Sequence, residues 1–231
     1  MSSVLTIETS TSVCSAALSV DGKIEFEKVS FEGPSHAALA GVFIEEAIAR
    51  AKKKGIRLDA VAVSSGPGSY TGLRIGVSMA KGVCFGYDIP LLAIPTLDIM
   101  AYKAIKETIQ PDDTLYCAML DARRMEVYAA IYDHKLNAVR PTSAEVVTAD
   151  TYSSFLETNR VCFFGNGAAK CKKIITSPRA LFIDHIVPLA GDMAALAHER
   201  FVNSKFEDIA YFEPFYLKEF VATVPKNKVI G

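Results

Sequence analysis

The run Ser64-Ser65-Gly66-Pro67-Gly68-Ser69-Tyr70-Thr71-Gly72 follows an apolar stretch and opens a helical pattern. Gly66 and Gly68 give the backbone freedom around Pro67, and Ser69 and Thr71 are residue types that cap helix starts. Unpaired N–H groups at such a start attract anions. Two readings follow: Gly66, Gly68 and Ser69 contact an anion or nucleotide, or they make a tight strand-to-helix corner. Two sharper motifs are excluded. The run is not a G-x-x-x-x-G-K-[ST] loop, since Lys81 lies more than two helical turns on, and no G-x-G-x-x-G follows the first strand.

Glu8 and Asp121 each close an apolar strand pattern. Acids at such strand ends can hold a metal–nucleotide, and they also form ordinary turns. The histidines are His36, His134, His185 and His198, and no two stand at i,i+3 or i,i+4. There is no G-x-S-x-G and no Cys–His signature with local context. Arg123-Arg124 falls in a hairpin turn, and Lys226 and Lys228 fall in a closing stretch. The 5 cysteines are odd in number and form no C-x-x-C. They read as buried free thiols in a reducing compartment, not as a disulfide or zinc framework.

These residues need elements to hold them, and the chain spells its elements twice. Residues 4–9, 13–20 and 24–31 read as three meandering strands, with Asp21-Gly22 as a hairpin turn. A helix over 35–53, opened by Pro34-Ser35, is followed by a strand at 59–64 and a helix at 71–86. A strand at 89–94 and a helix at 96–107 complete the half. From residue 115 the plan repeats: strands at 115–120, 125–132 and 138–147, a short helix at 149–157, a strand at 160–164, a turn-helix at 166–175, a strand at 180–183 and a helix at 191–203. Alternation of this kind demands a mixed sheet with helices on its faces. The fold class is therefore α/β: a duplicated ribonuclease H-like, two-lobed fold of the actin, Hsp70 and sugar-kinase ATPase plan. The first lobe is 1–110 and the second, smaller lobe is 111–231, with the helix at 191–203 packing back on the first lobe. Polar, proline-containing Gln110-Pro111-Asp112-Asp113 marks the seam.

Half of the 231 residues are hydrophobic and 22% are charged, with a net charge of −1 and a mean hydropathy of +0.23. This profile excludes a disordered chain and a disulfide-stapled miniprotein, and it gives no global pull toward nucleic acid or anionic membrane. No apolar run reaches membrane-span length and no leader pattern opens the chain, so a cytoplasmic protein is expected.

Gly72, Gly76 and Ala80 recur every fourth residue, and Gly82 and Gly86 keep the interval. Each interior helical glycine costs about 1 kcal/mol against alanine, so close approach of another backbone is implied. That backbone belongs either to the lobe's own sheet or to another chain. Leu73, Val77 and Met79 lie beside the stripe, and the preceding helix adds Leu39, Val42 and Phe43, covering more than one face. The expectation is a protein–protein contact built from these two helices.

Ile7-Glu8-Thr9-Ser10, the run at 64–76, Asp121-Ala122-Arg123 with Glu126-Val127-Tyr128, Gly165-Asn166-Gly167-Ala168 and Pro214-Phe215-Tyr216-Leu217-Lys218 together resemble the TsaB (YeaZ) family of tRNA threonylcarbamoyladenosine biosynthesis proteins. The resemblance spans nearly the whole chain and implies the two-lobed fold read above. It also implies a non-catalytic subunit that pairs with a TsaD-type paralogue, the transferase acting on N6 of adenosine 37, and works with a TsaE-type ATPase. A separate synthase makes threonylcarbamoyl-AMP. The TsaD metal pair, H-x-x-x-H, has no counterpart here. tRNA is then met only through the complex, no cofactor is resident, and any ATP or ADP is held at the assembled interface. Alone, such a chain is expected to form a homodimer through related surfaces. Lys218 stands where many relatives carry arginine. The alternatives are a small ATP-dependent phosphotransferase using Asp121 or Glu8 with magnesium, and a glycoprotease-like peptidase.

Overall fold

The computed structural model describes residues 2–32 and 36–218, with the side chains of residues 36 and 37 excepted. Pro34-Ser35, the His36 side chain, Lys226 and Lys228 lie outside the described residues. The elements are β1 (Ser3–Glu8), β2 (Cys14–Val20), β3 (Lys23–Ser30), α1 (His36–Lys53), β4 (Ala60–Gly66), α2 (Tyr70–Tyr87), β5 (Leu91–Pro95) and α3 (Thr96–Glu107). After them come β6 (Leu115–Asp121), β7 (Glu126–Tyr132), β8 (Ala138–Val146), α4 (Ser153–Thr158), β9 (Val161–Phe164), α5 (Ala168–Cys171) and β10 (Ala180–Ile183). A 3-10 turn (Gly191–Met193) leads into α6 (Ala194–Val202).

The two sheets repeat one topology. The first runs β3-β2-β1-β4-β5 and the second β8-β7-β6-β9-β10. In each, the first three strands pair antiparallel and the last three parallel. The strand that opens each meander is the central one, which is why β1 is buried on both faces and reads as a continuous run instead of an alternating one.

α1 and α2 cover one face of the first sheet, setting Phe43, Ile44, Ala47, Val77 and Ala80 against Leu5, Ile7, Val61 and Val63. The corresponding face of the second sheet is covered by α4 and α5 through Leu156, Ala168 and Cys171. The remaining faces are covered crosswise. α3, from the first half of the chain, sets Leu97, Met100, Ala101 and Ala104 on Tyr116, Ala118 and Tyr132 of the second sheet. α6, from the second half, sets Ala197, with Met193 before it, on Val4, Ala60, Leu92 and Ile94 of the first. Hydrogen bonds fix the crossing: Thr6 Oγ1 donates to Ala190 O at 2.8 Å, and Ala190 N donates to Ser15 Oγ at 2.8 Å.

On the α3 side, Tyr132 OH donates to Asp98 Oδ1 at 2.7 Å. Burial raises the Asp98 carboxyl, and the tyrosine hydrogen bond holds it back. Tyr132→Phe is expected to cost about 1–2 kcal/mol, because it strips a buried acceptor of its donor without leaving a cavity. Urea unfolding of the two proteins measures it.

Among the described residues, no helix is long and apolar enough to cross a membrane.

Candidate functional site

A cleft of about 800 Å³ opens between the lobes. One wall is the glycine loop with the start of α2. The other is the β6–β7 hairpin with Asn166. Each wall follows from local sequence. The loop turns through Gly66, whose φ of +102° suits glycine. Ser69 caps α2, its Oγ accepting from Gly72 N at 3.2 Å. The hairpin turns through Arg123 and Arg124, both with positive φ, and Arg123 N donates to Asp121 Oδ1 at 2.9 Å.

The groups read as an anion contact are engaged within the chain. A Cβ on Gly68 would stand 2.3 Å from Ser10 O, and one on Gly66 would stand 2.7 Å from Phe215 O. Ser69 N donates to Ser10 O at 2.6 Å, and Leu73 N to Ser69 O at 2.8 Å. Gly66 and Gly68 therefore serve close approach of the protein's own backbone, and Ser69 serves its own helix. The strand-to-helix corner accounts for all three, while Gly68 and Ser69 also line the cleft.

The two strand-end acids do not converge. Asp121 lines the cleft, where it is ion-paired with Lys170. Glu8 is fully buried and absent from the lining. Its Oε1 accepts from Ser10 N at 2.5 Å. Burial pushes its carboxyl from 4.5 up to about 7, against the lowering effect of the Ser10 and Ser64 hydroxyls and the Ser10 N–H. Among the described residues, no three His, Cys, Asp or Glu side chains are grouped to hold a metal. His198 Nδ1 is hydrogen-bonded to Ser2 Oγ at 2.7 Å. All five cysteines are free and buried. Burial pushes the thiols of Cys14, Cys84 and Cys162 up to about 11, which leaves them protonated at neutral pH.

The helix-pair expectation is corrected in part. A Cβ on Gly72 would stand 2.1 Å from Thr9 O, and one on Gly76 would stand 2.3 Å from Thr9 Oγ1. Ala80 is buried in the same core, together with Leu73, Val77 and Phe43. These six face their own sheet and cannot line a contact with another chain. Leu39 and Met79 are partly buried against that core, while Val42 is 49% exposed. The outer face of α2 carries other residues. Nothing lies within 4 Å of a Cβ built on Gly82 or Gly86. Phe85, between them, is 87% exposed. A shallow groove lined by Tyr70, Thr71, Arg74, Ile75, Ser78 and Met79 continues this face toward the cleft.

Phe85 does not stand out in the sequence, because Gly82 and Gly86 keep the four-residue interval of Gly72, Gly76 and Ala80 and read as part of one stripe. Helical geometry separates them: ten residues from 72 to 82 turn the direction by roughly 80°. The segment from Phe206 to Lys218 carries no periodic pattern, and nothing local announces that it lies over the glycine loop.

Paired βββαβαβα lobes facing each other across a cleft define the actin, Hsp70 and sugar-kinase class of two-lobed folds. A family model described as TsaD: tRNA N6-adenosine threonylcarbamoyltransferase matches residues 32–226. The chain is 28% identical over 227 residues to the tRNA threonylcarbamoyladenosine biosynthesis protein TsaB of Escherichia coli strain K12, covering 95% of this chain and 96% of that one. It is 30% identical over 176 residues to the TsaB of Bacillus subtilis strain 168, covering 74% of each. YeaZ from Pseudomonas aeruginosa superposes with a TM-score of 0.74 at 26% identity, over 94% of this chain and 100% of that one. A second structure, described as an uncharacterized protein with similarity to peptidase YEAZ from Pseudomonas aeruginosa, gives 0.78 at 25% identity, with the same coverage. The chain belongs to the TsaD domain family and, within it, to the TsaB proteins.

Proposed function

We propose that this chain is the non-catalytic TsaB-type subunit of the assembly that makes N6-threonylcarbamoyladenosine in tRNA, and that it docks a TsaD-type transferase through the outer face of α1 and α2. The observation that carries the reading is Phe85, 87% exposed between two helical glycines that face open space. Interior glycines weaken a helix by about 1 kcal/mol each, and nothing within the described chain makes use of Gly82 or Gly86. A second helix packed closely against them would both use the missing side chains and cover Phe85. Gly41 of α1 faces Met79 of α2, and Val42 beside it is exposed.

The state of the cleft supports a non-catalytic role. Asp121 is held by Lys170, and Glu8 faces the interior. A phosphotransferase built on these acids would need both turned into the cleft. A peptidase would need a nucleophile–base pair at the cleft or a metal group; the Ser2–His198 hydrogen bond lies away from the cleft lining, and no metal-holding group is assembled among the described residues. The TsaE-type ATPase and tRNA then meet this subunit only in the complex, in the cytoplasm, with ATP or ADP held at the assembled interface. In the absence of the transferase, two copies would pair through the same face.

Phe85→Ala is expected to weaken association with a TsaD-type partner about tenfold while leaving the melting temperature unchanged, since exposed aromatic anchors dominate such contacts. Titration calorimetry measures the first quantity. Equal affinity for the variant rejects the docking face. Threonylcarbamoyl transfer by the purified chain alone rejects the non-catalytic role.

A further inference from the structure

The last described stretch makes three kinds of contact in sequence. Near its start, Glu207 N donates to Leu91 O at 2.9 Å on the free edge of β5. Ile209 and Phe212 then pack on the core beneath α1 and α2. At the cleft mouth, Phe215 N donates to Ser65 O at 2.7 Å, and Phe215 O lies 2.7 Å from where a Cβ on Gly66 would stand. The Tyr216 ring sits on Tyr70, with centroids 5.0 Å apart and planes tilted by 41°. Arg74 donates from Nε to Tyr216 OH at 3.4 Å, and its guanidinium lies 4.3 Å from the centre of the Tyr70 ring. Lys218 then crosses to the other lobe and ion-pairs with Glu126, beside the β6–β7 turn.

Elsewhere the lobes are joined at the back of the cleft by buried α3 and by the 3-10 turn before α6. A joint at the back and a tie at the front make a hinge with a clasp. We propose that Phe215–Lys218 is a latch that holds the two lobes closed across the cleft and opens it on release. The first-lobe anchors are one backbone hydrogen bond, one aromatic stack and the Arg74–Tyr216 hydrogen bond. The second-lobe anchor is one partly exposed ion pair. Contacts of this kind are individually weak, so the latch opens without unfolding either sheet. Salt loosens the second-lobe anchor first.

The latch also touches the groove on α2. Tyr70 and Arg74 hold Tyr216, and they line the groove that leads to Phe85. A partner carboxylate that takes Arg74 would remove one anchor of the latch, so docking and cleft opening would be coupled. This coupling rests on the docking reading above. The latch itself does not, and the lone chain tests it.

Spin labels at Lys52→Cys on the first lobe and Asp150→Cys on the second report the lobe separation. The native cysteines are buried and leave the labelling selective. Lys218→Glu sets like charges against each other and is expected to raise the population at long separation several-fold. The exchange pair Lys218→Glu with Glu126→Lys is expected to return it to the original value. In a second measurement, Tyr216→Ala is expected to speed hydrogen exchange at the Phe215 amide about tenfold. Identical distance distributions for the original chain and Lys218→Glu overturn the latch. So does failure of the exchange pair to restore the distribution, or unchanged protection of the Phe215 amide.

Discussion

Gly72→Ala is expected to destabilise the lone chain by about 3 kcal/mol, whereas Gly82→Ala, ten residues on in the same helix, is expected to stabilise it. The new methyl at 72 would stand 2.1 Å from the carbonyl oxygen of Thr9. A backbone oxygen just after β1 cannot swing aside, so α2 must lift from the sheet. Overpacking of this kind typically costs 1–3 kcal/mol and sometimes more, well above the ~1 kcal/mol of helix propensity that alanine returns. At 82 nothing lies within 4 Å, so only the propensity gain remains. For a chain of 231 residues, about 3 kcal/mol is a loss of roughly 10 °C in melting temperature, and the gain at 82 is roughly 2 °C. Circular dichroism melts separate them. A Gly72→Ala protein that melts at or above the original would refute the inward orientation. If the docking face is real, Gly82→Leu folds normally and binds its partner less well.

Glu8→Gln is expected to change how stability depends on pH. The carboxyl is fully buried, and its value rises from 4.5 to about 7. Between those two pH values the folded chain holds a proton that the unfolded chain releases. Stability therefore falls as pH rises through this window, and the loss is complete above about 7. The shift corresponds to about 3 kcal/mol. Glutamine keeps an oxygen for Ser10 N and carries no charge, so it escapes the loss. The stability of Glu8→Gln relative to the original should rise by about 3 kcal/mol from pH 4 to pH 8, read from denaturant unfolding across that range. Parallel profiles would show that Glu8 ionises without penalty.

The repeated strand–helix plan was legible because its signals are local. β1 and β6 are unbroken apolar runs, since a central strand is covered on both faces. α3 and β10 fall at the expected bounds, residues 96–107 and 180–183. The weaker second half shows where local signals fade. The helix expected from 149 starts at Ser153, because Thr148 and Thr151 close a side-chain turn first, Thr148 N donating to Thr151 Oγ1 at 2.8 Å. The turn-helix expected over 166–175 shrinks to Ala168–Cys171.

The candidate site was less legible, for a different reason. A glycine in a loop or helix says that something comes close, but not what comes close. At Gly66 and Gly68 the neighbours are Phe215 O and Ser10 O. At Gly72 the neighbour is Thr9 O. Each contact joins residues far apart in the chain, and no window of sequence contains both partners. The alternative of a contact with the lobe's own sheet held for Gly72, Gly76 and Ala80. Val42 alone, among the helix residues named as a contact surface, stands substantially exposed.

The crosswise closing of the lobes makes the two halves interdependent. α3 sets Leu97 and Met100 on the second sheet and Ile99 on the first, and α6 lies on the sheet of the first. Cutting the chain at the seam would strip each half of a helix that seals its core, so separately expressed halves are expected to become soluble only when produced together.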